Sequence, residues 1–228
     1  MTTPGPAVVE ASELPRVAAL CVAELLRQAV AERGAASLAL AGGTTPRAMH
    51  EVLATLPGVD WAQVSVYFGD ERCVPPDHAD SNYRMARESL LTRVPIPESN
   101  VHRMLGELPD RDAAARAYAA ELPAALDVVV LGIGEDGHTA SLFPGSPALD
   151  EREQLVLPVI GPKPPPERLT LTPPALERAH NLVMLAAGAG KADAVARALG
   201  GPLDPRSTPA QWARRGRWLL DRAAAARL

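Results

Sequence analysis

This chain of 228 residues has only two cysteines, no long apolar run and no excess of positive charge. No apolar run approaches the roughly 20 residues that a membrane-spanning helix needs. The first fifteen residues, MTTPGPAVVEASELP, contain no basic stretch followed by an apolar core, so they predict no signal peptide. The two cysteines, Cys21 and Cys73, form no CxxC pair and fit a reducing compartment. We therefore expect a cytoplasmic protein.

The charge balance argues against two classes of partner. Lysine and arginine number 23 against 27 acidic residues, which gives a formal net charge of −4. This balance gives no reason to expect binding to nucleic acid or to an acidic membrane surface. An anionic small molecule would need basic side chains gathered locally. For the assembly we expect a monomer or a small homo-oligomer.

Apolar strand-like runs alternate with helix-like segments along the whole chain. Strands are expected at 37–43, 64–70, 126–134, 155–160, 168–172, 181–188 and 217–221, and helices at 12–33, 46–56, 82–94, 110–122, from 173 and at 191–199. The first helix is expected to be capped by Ser12 and closed by Gly34, and the second to open at Pro46. LDVVVLGIG (126–134) is the most hydrophobic strand and is expected at the centre of the sheet.

This alternation predicts the fold class. Strands that alternate with helices form right-handed βαβ crossovers and a mainly parallel sheet. The chain shows no internal repeat, and its one proline-rich stretch, GPKPPPE (161–167), is typical of a stiff loop. We predict a single doubly wound, Rossmann-like α/β domain over residues 1–228.

Polar, glycine-rich segments follow four of the expected strands. They are GGTTP (42–46), GDER (69–72), GEDGH (134–138) and GAGK (188–191). In open parallel sheets, ligands bind outside the carboxyl ends of the strands. We therefore expect these four segments to form one binding site.

GIGEDG (132–137) spells the G-x-G-x-x-G pattern of dinucleotide-binding proteins, but its context argues against NAD or NADP. That fingerprint needs a helix that begins inside the motif, and here Pro144 and Pro147 leave room for only a short one. The glycines can instead shape a turn that presents His138. A neutral imidazole can accept a proton from water near neutral pH, and Asp136 can orient it. The alternative is a solvated histidine in a capped turn.

The other three segments offer groups that bind anions. Backbone N–H groups and the dipole at a helix N-terminus favour phosphate, and an arginine donates two parallel hydrogen bonds to it. The candidates are Gly42, Gly43, Thr44, Thr45, Arg72 and Lys191, with Arg168 as a weaker one. The alternatives are a plain capped turn, a surface ion pair of Arg72 with Asp70 or Glu71, and a solvated lysine.

Several other chemistries are not indicated. GAGK is not a nucleotide P-loop, because Leu185 and Ala192 stand where that motif needs glycine and a hydroxyl. The remaining histidines show no metal-ligand spacing, and we expect them at the surface or in the core with their hydrogen bonds satisfied: His50, His78, His102 and His180. No G-x-S-x-G elbow appears, which argues against a serine hydrolase.

Five segments in order resemble the 6-phosphogluconolactonase family, within the larger group that includes glucosamine-6-phosphate deaminase. They are LALAGGTTP (38–46), VYFGDERCVPPDHADSNY (66–83), LGIGEDGHTASLFPGS (131–146), RLTLT (168–172) and AAGAGKA (186–192). The deaminase pattern continues its D-G-H loop as H-I-A-F-N-E-P and ends the earlier strand in M-D-E-Y, whereas this chain reads HTASLFP and GDER. Thr44 stands where the family commonly has serine, and Cys73 where an aromatic residue is common.

The resemblance implies hydrolysis of 6-phosphoglucono-δ-lactone to 6-phosphogluconate in the oxidative pentose phosphate pathway, with no metal and no organic cofactor. It implies that His138 is the general base and that Thr44, Arg72, Lys191 and Arg168 hold the phosphate. The roles of Asp136 and Asp70 are less defined: Asp136 would orient His138, and Asp70 would orient Arg72 or the water. The alternatives are a deaminase or isomerase of sugar phosphates and a non-catalytic sugar-phosphate sensor.

Overall fold

Residues 5–228 are described by the computed structural model, and they form nine strands and six α-helices. Residues 1–4, the beginning of the segment that predicts no signal peptide, lie outside the described residues. The strands are β1 (Ala7–Val9), β2 (Ala36–Leu40), β3 (Val64–Phe68), β4 (Asp70–Arg72), β5 (Val128–Gly132), β6 (Val156–Ile160), β7 (Glu167–Leu171), β8 (Asn181–Ala186) and β9 (Arg217–Asp221). The helices are α1 (Leu14–Arg33), α2 (Thr44–Leu53), α3 (Asn82–Ala86), α4 (Arg111–Glu121), α5 (Pro173–Arg178) and α6 (Ala192–Gly200).

Six strands form a parallel sheet in the order β1-β9-β8-β5-β2-β3. β5 lies in the middle, which confirms its predicted position. Its alternate residues belong to different cores: Val128 and Val130 pack on the face covered by α1 and α2, and Val129 and Leu131 on the opposite face. Because both faces are buried against helices, the predicted doubly wound, mainly parallel α/β fold is confirmed.

A second, antiparallel sheet of three strands, in the order β4-β7-β6, was not anticipated. The expected strand 64–70 ends at Phe68, and Gly69 alone separates β3 from β4. The N–H of Gly69 donates to the carbonyl of Leu40 in β2 (2.8 Å), while its carbonyl accepts from the N–H of Leu171 in β7 (2.8 Å). One residue thus joins the parallel sheet to the antiparallel one.

The helix ends differ from expectation at two positions. The N-cap of α1 is Glu13, without a side-chain cap bond, so the predicted role of Ser12 is wrong. α2 begins at Thr44, two residues before Pro46, because the third N–H of a helix also has no intrahelical partner and proline is tolerated there. At the other end of α1, Gly34 closes the helix as predicted: its φ is 78° and its N–H donates to the carbonyl of Val30.

The predicted helix at 82–94 begins as α3 and continues as a single π-helical turn over Arg87–Leu91. The strand β1 was missed, since it has only three residues and is largely exposed. Within residues 5–228, no helix combines the length and apolar character that crossing a membrane requires.

Candidate active site

A cavity of about 190 Å³ lies at the carboxyl ends of the central parallel strands, beside the second sheet. Its lining combines three of the four polar segments that the sequence singles out. The lining residues are Ala41, Gly42, Gly43, Asp70, Arg72, Asn82, Gly132, Ile133, His138, Ala140 and Arg168. The carboxyl-end rule therefore located the cavity, and the second sheet adds one of its walls.

The loop after β5 holds His138 against Asp136. Gly137 has φ 95°, and the N–H of Gly134 donates to the carbonyl of His138 at 2.8 Å, which closes a tight turn. One carboxylate oxygen of Asp136 accepts from the backbone N–H of His138 (3.1 Å) and lies 2.6 Å from Nδ1 of its imidazole. Because Nδ1 is taken up by Asp136, Nε2 is the nitrogen left for a ligand. The ring of His138 also packs on Phe143, with centroids 4.8 Å apart.

The electrostatics of this pair favour a charged carboxylate at Asp136. Partial burial alone would raise the pKa of Asp136, but the hydrogen bond from the His138 N–H and the nearby imidazole outweigh it, and the pKa lies below its ordinary value. An ionised Asp136 stabilises a protonated imidazole and fixes the orientation of the ring.

Gly134 is required by this pair for a steric reason. A Cβ at that position would lie 2.1 Å from Nδ1 of His138 and 2.4 Å from a carboxylate oxygen of Asp136. The glycine therefore serves the close approach of the imidazole and carboxylate to the backbone, and not a dinucleotide pyrophosphate.

Asp70 is buried and fixed from two sides. Its Oδ2 accepts from the hydroxyl of Ser141 (2.6 Å), three residues after His138, and its Oδ1 accepts from the side-chain amide of Asn82 (3.1 Å). The same amide also donates to the carbonyl of Asp70 at 2.8 Å. The carboxylate thus links β4 to the histidine loop, although the sequence suggested that it orients Arg72.

Two arginines lie directly opposite each other on neighbouring strands of the second sheet. Arg72 of β4 is paired with Arg168 of β7 in the antiparallel register. Like charges directly opposite each other are destabilising, so this pair favours an anion between or beside the guanidinium groups. Burial lowers the pKa of Arg168, and the negative charge of Asp70 acts in the opposite direction.

The contacts of the arginines leave donors unused. Nη1 of Arg72 donates to the carbonyl of Asp80, and its buried Nε has no partner among the described residues. The alternative of a surface ion pair with Asp70 or Glu71 is wrong for this side chain, since among residues 5–228 no salt bridge involves Arg72. Arg168 lies over the ring of Phe143, 5.5 Å from its centroid, and its Nε donates to the carbonyl of Pro165 at 3.2 Å.

Four of the predicted residues are not among those that line this cavity: Thr44, Thr45, Asp136 and Lys191. Thr44 and Thr45 are the first residues of α2, after Gly43 with its φ of 102°. Lys191 ends a short 3₁₀ turn (Ala189–Lys191) before α6, next to the histidine loop: a Cβ at Gly190 would lie 2.8 Å from a carboxylate oxygen of Glu135.

The sequence reasoning did not single out Asn82 and Ser141, both of which contact Asp70. They lie in DSNY and HTASLF, which belong to two of the segments that resemble the family. Ala140, a lining residue between His138 and Ser141, has φ 48°, a backbone conformation that residues other than glycine rarely adopt. Strain of this kind is concentrated at functional sites.

A larger open cleft of about 1110 Å³ adjoins the cavity, and Arg168 lines both. Its walls are mostly the apolar segments 143–148 and 157–162, with Asp136 at one edge. Within residues 5–228, no group of three or more histidine, cysteine or acidic side chains is arranged to hold a metal ion.

Comparisons with known proteins agree with this geometry. Residues 9–220 match the family model described as glucosamine-6-phosphate isomerases/6-phosphogluconolactonase. The chain is 41% identical to the 6-phosphogluconolactonase of Synechocystis sp. over 91% of its own length and 90% of that protein. It is 45% identical to the 6-phosphogluconolactonase of Mycobacterium tuberculosis over 88% of each chain. The 6-phosphogluconolactonase structure from Trypanosoma brucei superposes with a TM-score of 0.87 at 31% identity, covering 98% of this chain and 99% of that one.

Proposed function

Because the chain belongs to the family of glucosamine-6-phosphate isomerases and 6-phosphogluconolactonases, we propose that it hydrolyses 6-phosphoglucono-δ-lactone to 6-phosphogluconate, with His138 as the general base. The lactonase activity is supported by relatives that match most of the chain. The proposal for the base is carried by one observation: His138, whose Nδ1 lies against Asp136, lines the same small cavity as the two facing arginines.

In the proposed reaction, Nε2 of His138 removes a proton from a water molecule as the water attacks C1 of the lactone. Asp136, bound to Nδ1, holds the ring and stabilises the imidazolium that results. The C1–O bond of the ring then breaks, and the imidazolium returns its proton to the leaving ring oxygen. A lactone carbonyl is already electrophilic, so positioning and one base suffice, and the base contributes about 10²–10⁴-fold.

The phosphate is assigned to the basic side of the cavity. Arg72, with its unpartnered Nε, and Arg168 supply charge and donors. Thr44, Thr45 and Lys191 would complete the phosphate site from the rim. Binding energy gained at this remote group orients C1 against His138, so it contributes to the rate as well as to affinity.

The oxyanion that develops at C1 needs donors, and the two glycine loops differ in what they can offer. In the histidine loop, the N–H groups of Gly134, Gly137 and His138 already donate to oxygen atoms within the same loop. The first N–H groups of α2 have no intrahelical partners, and Gly42 and Gly43 line the cavity. We therefore assign the oxyanion donors to backbone N–H groups at Gly42 and Gly43, and only the side-chain hydroxyls of Thr44 and Thr45 to the phosphate.

Asp70 is assigned a role in orienting the attacking water or a hydroxyl of the sugar. Its carboxylate lines the cavity and retains acceptor capacity beyond the bonds from Asn82 and Ser141.

The proposal needs no metal and no organic cofactor. We propose that the enzyme acts in the cytoplasm as a monomer or small homo-oligomer, with the phosphorylated lactone as its ligand and no nucleic-acid partner.

The test follows proton release from freshly generated 6-phosphoglucono-δ-lactone, with the wild type beside His138→Ala. We expect the wild type to accelerate hydrolysis, and the variant to lose about 10²–10⁴-fold in kcat while it still binds 6-phosphogluconate. A wild type that shows no acceleration contradicts the lactonase proposal. An active His138→Ala enzyme contradicts the role of the base alone.

The rival functions give different results in the same samples. A sugar-phosphate deaminase would release ammonia from glucosamine 6-phosphate, and a sensor would bind 6-phosphogluconate without hydrolysis above the spontaneous rate. A monomeric glucosamine-6-phosphate deaminase superposes with a TM-score of 0.85 at 22% identity, which shows a shared fold and no more.

A further inference from the structure

We propose that Asn82 is a positioning residue for the proposed lactonase reaction: its side-chain amide fixes the Asp70 carboxylate in the cavity. This inference rests on the proposed function. It is carried by the contacts of a buried amide that bridges three segments of the site.

The amide nitrogen of Asn82 makes two bonds to one residue. It donates to the backbone carbonyl of Asp70 at 2.8 Å and to its carboxylate oxygen Oδ1 at 3.1 Å. These two bonds close a ring that leaves the Asp70 side chain little rotational freedom. The second carboxylate oxygen is held by Ser141 at 2.6 Å. Loss of the Asn82 amide would leave one buried oxygen of Asp70 without its donor.

Asn82 is itself held rigidly, which a positioning residue requires. The buried carboxylate of Glu71 accepts from the backbone N–H groups of Asn82 (2.7 Å) and Tyr83 (2.8 Å). It also accepts from the hydroxyl of Ser81 at 3.0 Å and from the N–H of Arg72 at 2.7 Å. Glu71 thus anchors the start of α3 to β4, and Asn82 cannot move without breaking this cluster.

The other side of the Asn82 amide rests on the glycine loop. A Cβ at Gly42 would lie 1.9 Å from Oδ1 of Asn82 and 2.9 Å from its nitrogen. Gly42 therefore accommodates this side chain, in addition to any use of its N–H. Asn82 contacts the 42–45 loop and the Asp70 carboxylate together, and through Asp70 it is linked to Ser141 in the histidine loop.

The experiment uses Asn82→Asp, which keeps the shape of the side chain and removes the donor. Two ionised carboxylates about 3 Å apart repel each other strongly, so the pair shares a proton at lower pH and is destabilised when that proton is lost at higher pH. The charged groups around the pair are Arg72 and Glu71 on β4, Arg168 on β7, and His138. The ratio of variant to wild-type kcat/KM corrects for the titration of these groups.

We expect Asn82→Asp to have a kcat/KM about 100-fold below the wild type at pH 8, with part of the loss recovered at pH 6. Asn82→Ala, which removes the donor without adding charge, is expected to be impaired equally at both pH values. The matched control is Asn181→Asp: Asn181 donates to the backbone carbonyl of Asp127 at the start of β8, away from the carboxyl ends that form the cavity. Its ratio to the wild type should be near one at both pH values.

A readout without substrate separates this inference from the proposed function. The melting temperature of Asn82→Asp should fall further below that of the wild type at pH 8 than at pH 6, and that of Asn181→Asp should differ by the same amount at both. If Asn82→Asp retains wild-type kcat/KM at pH 8, or if its deficit in melting temperature does not change with pH, the inference is wrong. An inactive wild type refutes the lactonase proposal, and with it the catalytic role of Asn82, whatever the melting data show.

Discussion

The substitution Gly134→Ala tests whether the cavity depends on the close packing of His138 against the backbone. Gly134 is buried and its φ is not positive, so alanine introduces no backbone strain there. The new Cβ would lie 2.1 Å from Nδ1 of His138, about 1 Å closer than real Cβ contacts allow. The imidazole must retreat by about that distance, and it is pushed out of its 2.6 Å contact with Asp136.

The expected cost follows from the displacement. A shift of about 1 Å in a catalytic group costs about 100-fold in rate, which corresponds to about 2.7 kcal/mol of transition-state stabilisation. We expect kcat for lactone hydrolysis to fall by that factor, while the KM changes little because the arginines are not displaced.

The assay measures proton release for Gly134→Ala beside Gly200→Ala. Gly200 is the last residue of α6, and a Cβ there meets nothing within 4 Å, so this control should keep wild-type rates. Urea unfolding of both variants shows whether each remains folded under the assay conditions. A folded Gly134→Ala enzyme with wild-type kcat would refute the reasoning that the His138–Asp136 geometry carries the reaction.

Two further outcomes are expected. Arg72→Ala and Arg168→Ala should each raise the KM by about 10–100-fold, since a charge-assisted hydrogen bond contributes about 1.5–3 kcal/mol. Steady-state kinetics that show an unchanged KM and a lowered kcat would contradict the assignment of these arginines to the phosphate. Burial lowers the pKa of His50 to about 4, below the value of 6.5 for an exposed histidine, so the unfolded chain takes up a proton as the pH falls through this window. The free energy of unfolding should therefore drop by about 3 kcal/mol more between pH 7 and pH 4 in the wild type than in His50→Leu, as measured by urea titration at each pH.

The hydrogen bonds around His50 explain why its protonation is costly. Ser89 uses its hydroxyl proton on the carbonyl of Met85 (2.7 Å), so its oxygen accepts from Nδ1 of His50 at 3.1 Å. Nε2 is then the unprotonated nitrogen, and it is buried without a partner among the described residues. His50 is therefore a core histidine with a fixed tautomer, but the expectation of a satisfied one holds for Nδ1 and not for Nε2.

The parallel sheet could be predicted because its signals are local. β5 is a continuous apolar run that ends in glycines, and such a run predicts a buried central strand wherever it occurs. The carboxyl-end rule then located GGTTP, GDER and the histidine loop at one edge. RLTLT forms a strand as expected, and Asp70 and Arg72 of GDER line the cavity, but neither segment indicates that the two pair with each other.

The second sheet and the support of Asp70 could not be predicted in this way. VYFGDER reads as one strand, since a single glycine gives no sign that the chain leaves one sheet and enters another. Asp70 is fixed by Asn82, 12 residues away, and by Ser141, 71 residues away. Hydrogen bonds between such distant positions leave no periodicity in the sequence.

The two bonds of Gly69, one to each sheet, also bear on how the enzyme is made. Contacts between residues far apart in the chain have a high loop-closure cost and limit the rate of folding. β4 and β7 pair outside the parallel sheet, so that sheet does not depend on their pairing, whereas the two arginines face each other only once it has formed. A refolding chain can therefore regain most of its native secondary structure while it still lacks the walls of the cavity.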